Sequence, residues 1–61
     1  MSTLAEKYEE DEEWIRNEIP GISEELTEEF AERVSVMTCE GMDERRARML
    51  ALKRIEKKLY G

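Results

Sequence analysis

Two short breaks constrain this chain more than anything else in it: "IPGIS" at 19–23 and "EGMDE" at 40–44. Everything around them is rich in Glu, Leu, Ala, Arg and Lys, and no stretch alternates apolar and polar residues with period two. The pattern predicts an all-α fold, a small three-helix domain with a tight helical hairpin. The helices are expected over about 4–18, 24–40 and 44–59, with no strand. The chain is then one domain, 1–61, with an acidic first helix and Pro-Gly hinge at 1–22 and a hairpin at 23–61.

In the first helix, Thr3 with Glu6 has the form of a capping box, and Asp11 offers an alternative start. Leu4, Tyr8, Ile15 and Ile19 share a face, interrupted at Glu12. The self-repelling run "EEDEE" should make this helix the weakest, prone to fraying. Pro20-Gly21 ends it, because a residue before proline avoids helical angles.

The second helix is the clearest. Ser23 is its expected N-cap, with Glu24 and Glu25 in the first turn, where the helix dipole favours carboxylates. Leu26, Phe30, Val34 and Met37 form its stripe, with Ala31 and Thr38 at the margin. Gly41 stands where a Schellman cap needs left-handed angles, Met42 should fold back toward Met37, and Asp43 is placed to cap the next helix. So short a connection makes the two helices immediate neighbours. In the third helix Ala47, Ala51, Leu52, Ile55 and Leu59 share one broad face, with Met49 at its edge.

A chain of 61 residues buries a modest core, worth no more than ~3–5 kcal/mol, so a staple, a partner or unusually good helix packing is expected. Cys39 has no second cysteine to pair with, and with no histidine present a metal site is not expected; no cofactor is implied. No apolar run approaches the roughly 18 residues that span a bilayer, and the N-terminal stretch lacks a signal-peptide pattern; the expected setting is cytoplasmic. Charge is unevenly spread. Residues 1–42 carry three basic side chains against thirteen acidic, net −10, whereas residues 43–61 carry seven against three, net +4.

Each helix also bears a large apolar residue off its own stripe: Trp14, Val36 and Leu50. These three are the candidate partner-binding residues, read as a second apolar surface for a chain that needs added burial, where the plainer alternative is scattered surface hydrophobics. Cys39 reads as a small apolar filler near a helix end, and Met37, Met42 and Met49 as adaptable core around the turn. The many paired carboxylates lie on solvated helical faces, and no phosphate loop, triad or metal spacing appears; no catalytic residue is expected, and the chain is not read as an enzyme.

The segment from Glu32 to Ala51 resembles a helix-glycine-helix motif of small bacterial and bacteriophage proteins. Glu32, Arg33, Val36, Met37, Glu40, Gly41, Met42, Ala47, Leu50 and Ala51 carry the likeness, while the motif's usual second glycine is missing. The resemblance implies a microbial or phage origin and a helical hairpin, and brings no catalytic residues with it.

The expected function is a small helical protein–protein interaction module, self-associating as a homodimer, in which acidic second helix and basic third helix pair within or between chains. One alternative is a helix-turn-helix DNA reader, with Arg45, Arg46 and Arg48 at the leading end of a recognition helix. Its weakness is the net charge of −6, repelled by phosphate. A further alternative is an acidic decoy or inhibitor of a basic partner protein. No membrane partner is expected.

Overall fold

The computed structural model describes residues 4–61, with side chains from Glu6 onward. Three helices follow one another: α1 (Leu4–Glu18), α2 (Glu24–Cys39) and α3 (Glu44–Tyr60). No strand occurs among the described residues. The predicted architecture holds, with α2 ending one residue earlier than expected and α3 one later. Thr3, the expected cap of α1, and the side chain of Leu4 lie outside the described residues. Asp11 starts nothing: α1 runs through it.

The joints behave as local chemistry dictates. At Pro20-Gly21, Gly21 takes φ 85° and the Ile22 amide returns to the Ile19 carbonyl at 3.2 Å. Ser23 Oγ accepts from the Leu26 amide at 3.3 Å, satisfying one donor that the start of α2 leaves open. At the end of α2, Gly41 has φ 97°, its amide reaches the Thr38 carbonyl, and the Met42 amide reaches the Met37 carbonyl at 3.0 Å. These are the two hydrogen bonds that define a Schellman cap. Met37 and Met42 both pack on the core beneath it. Asp43 occupies the capping position of α3 with extended backbone but makes no side-chain capping bond, so its help there is limited to the dipole.

α2 is the central element, packed along both α1 and α3. The core between them is Ile15 from α1, Phe30 and Val34 from α2, and Ala47, Ala51 and Ile55 from α3. The alanines let α3 approach closely, while Phe30 fills the centre. Each large apolar side chain here contributes on the order of 1.5–3 kcal/mol by leaving water. Thr27 is buried too, its hydroxyl donating to the Ser23 carbonyl at 2.8 Å.

Candidate interaction surface

The three residues expected to form a second apolar surface separate into two groups. Val36 is 52% exposed and Leu50 43% exposed, both outside the core. Trp14 is not. Its ring stacks on Phe30, centroids 5.5 Å apart and planes within 9°, and it is half-buried. The correction has a helical explanation. The inward side of α1 runs through Asp11, Trp14 and Ile15, as residues i, i+3 and i+4, so Trp14 forms one edge of the buried stripe.

Asp11 is the residue that sequence reasoning missed. It is 3% exposed and accepts from Arg48 Nε of α3 at 2.9 Å. The Arg48 guanidinium also reaches Glu44 Oε1 at 3.3 Å and lies over the Trp14 ring, 5.7 Å from its centroid. This joins α1 to α3 beside a groove lined by Trp14, Glu44, Arg45, Arg48 and Met49. Burial raises the Asp11 carboxyl above the ordinary range; Arg48's hydrogen bond and charge pull it back only in part. No buried side-chain polar atom among the described residues lacks a partner.

Arg48, expected with Arg45 and Arg46 at the leading end of a recognition helix, has its guanidinium engaged by Asp11, Glu44 and the Trp14 ring. Arg45 and Arg46 remain exposed. Cys39 is exposed rather than an apolar filler, because it falls on the outer side of the last turn of α2. Leu59 is 41% exposed and Met49 50%, so the apolar face of α3 narrows toward Ala47, Ala51 and Ile55.

On the other flank of the hairpin, Lys58 Nζ donates to Glu29 Oε1, which holds the Glu29 carboxyl below its ordinary range. The expected pairing of acidic α2 with basic α3 thus occurs at least once within the chain. Nearer the turn, a shallow groove runs between α2 and α3. It is lined by Arg33 and Met37 of α2 and by Leu50, Ala51 and Arg54 of α3, and a second hollow, along α2 alone, adjoins it at Arg33 and Met37 and is lined also by Glu29, Glu32 and Val36. Across α2, Tyr8 donates its hydroxyl to the Glu28 carbonyl at 3.0 Å, and its phenol is raised by burial and by nearby Glu12, Glu28 and Glu32.

Among the described residues no cluster of three His, Cys, Asp or Glu side chains is arranged to hold a metal, and no helix is long and apolar enough to cross a membrane. Comparison with known proteins finds no matching family model, no similar curated protein and no similar solved structure.

Proposed function

We propose that this protein is a small, non-catalytic helical interaction module that works in the cytoplasm by associating with a second copy of itself. The observation that carries the reading is the exposure of Val36 on α2 and Leu50 on α3, each lining one of two shallow hollows that share Arg33 and Met37. Met37 lines both hollows. Exposed aliphatic side chains bordering adjoining hollows are a place where association removes further apolar surface from water. That is the burial a 61-residue chain has least of. The resemblance of residues 32–51 to small bacterial and phage helical proteins fits a compact module of this kind.

The DNA-reading alternative loses ground because Arg48 is engaged within the fold, leaving Arg45 and Arg46 on a protein of net charge −6. Light scattering over a concentration series tests the proposal. A mass rising toward twice 7.2 kDa, with melting that depends on concentration, is the expected result. A constant monomer mass up to millimolar concentration would end it. Duplex binding at physiological salt would instead revive the DNA reading.

A further inference from the structure

The hairpin carries a pattern that says how two copies would meet. On α2, residues 29, 33, 36 and 40 recur at spacings of four, three and four, so they form one stripe. On α3, residues 46, 50, 53 and 57 recur with the same spacing. Every one of these is exposed except Glu29, which is partly so. α1 does not cover them, since it lies against the side of the hairpin that bears Glu28 and Arg48.

The levels of the two stripes are fixed by the turn. Glu29 pairs with Lys58, and Met37 shares a groove wall with Leu50 and Ala51, so residues at equal height are known along the hairpin. At equal height stand Glu40 with Arg46, Val36 with Leu50, Arg33 with Lys53, and Glu29 with Lys57.

Resting on the self-association reading, we propose that two copies pack hairpin to hairpin about a two-fold axis parallel to α2 and α3. That axis places α2 of one copy over α3 of the other without shifting either along its length. Val36 then meets Leu50 of the second copy, and Leu50 meets its Val36, the self-complementary exchange of an isologous interface. Glu40 faces Arg46, and Glu29 faces Lys57, each pairing occurring twice. Arg33 opposite Lys53 is a like-charge pairing, with Arg54 lining the groove beside it, and Glu29, one turn from Arg33, offsets them, its carboxyl lowered by Lys58, Arg33 and Arg54. The other two-fold that brings the same faces together runs across the helices and lays α2 on α2. It would set Glu29 and Glu40 against their own kind and Arg46 against Lys57. Charge therefore selects the first axis, while Val36, Leu50 and Met37 supply the apolar burial.

Mixing two charge reversals in the full chain tests this geometry. Glu40→Arg alone places arginine against Arg46 on both sides of the two-fold at the turn end, and Arg46→Glu alone places glutamate against Glu40. Each should weaken homodimerisation by about tenfold or more, while circular dichroism stays helical because both sites are exposed. An equimolar mixture restores both pairings across the interface, so its dimer affinity should return to within about threefold of the parent. Within each chain the reversed charges remain mismatched, so an effect confined to one chain is not rescued by mixing. If the parent protein dimerises but the singles dimerise undiminished, or the mixture stays weak, the two-fold is wrong while self-association stands. A parent that never dimerises removes both.

Discussion

Asp11 and Glu29 each accept a hydrogen bond from a cation on α3, yet their carboxyls move in opposite directions. Asp11 is almost wholly enclosed, and desolvation outweighs what Arg48 returns, so its acid is weakened. Glu29 keeps about a third of its side chain in water, loses little hydration, and is strengthened by Lys58. The same pairing of charges thus does different things at the two joints. On the hairpin flank it is a modest, screened attraction. At the α1–α3 joint it is a costly contact that fixes where α1 sits, because only there do Asp11, Arg48 and Trp14 satisfy one another.

The largest effect is expected from breaking the enclosed pair on the cation side. Arg48→Met keeps an aliphatic stem over Trp14 but leaves the Asp11 carboxylate without a partner. Removing one member of a buried ion pair costs several kcal/mol; with Arg48 itself 23% exposed, a loss of about 2–4 kcal/mol in urea unfolding is expected. A loss below about 1 kcal/mol would mean that water reaches Asp11 freely and that the two pairs are alike.

Next in size is the turn that sets α3 against α2 and so brings Lys58 to Glu29. Gly41 has φ 97°, and beyond the glycine and its two chain neighbours no heavy atom lies within 4 Å of where a Cβ would stand. The cost of Gly41→Val is then backbone strain alone, about 1–2 kcal/mol. A D-alanine placed there by chemical synthesis meets no such strain and should match or exceed the parent's melting temperature. If both substitutions melt alike, the left-handed cap is not what holds the register.

The turn was legible in the sequence because its determinants are local: a glycine at the right offset and two flanking stripes. Phe30, Val34, Ala47, Ala51 and Ile55 were legible for a related reason, since one face of a regular helix needs only periodicity. Asp11 and Trp14 were not. An aspartate in the run "EEDEE" has no local mark distinguishing it from its solvated neighbours. Its burial depends on an arginine 37 residues away. Once Asp11 is known to face inward, Trp14 at i+3 follows. Trp14 emission accordingly reports the fold, leaving association to be read at Val36 and Leu50, where periodicity alone placed apolar residues off the core.

The smallest effects separate the two carboxylates most sharply, through the sign of their pH dependence. Asp11 has its folded pKa raised above the ordinary carboxylate value of about 4, so the folded state holds that proton more tightly than the unfolded chain does. Its contribution favours folding at low pH and is lost as pH climbs through the raised value. Glu29 has a lowered folded pKa, so its contribution is present above the ordinary value and disappears as pH falls through the lowered one. Asp11→Asn retains an acceptor for Arg48 and removes the buried charge, so at neutral pH it should change stability by less than about 1 kcal/mol. Glu29→Gln, at a partly exposed and salt-screened pair, should cost ~0–1 kcal/mol. Measured from pH 3 to pH 7, the stability of the parent relative to Asp11→Asn should fall, and relative to Glu29→Gln it should rise. Added salt should shrink the Glu29 difference and leave the Asp11 difference nearly intact, because mobile ions screen the exposed pair and not the enclosed one. Two curves with the same slope would show that burial does not separate the two acids.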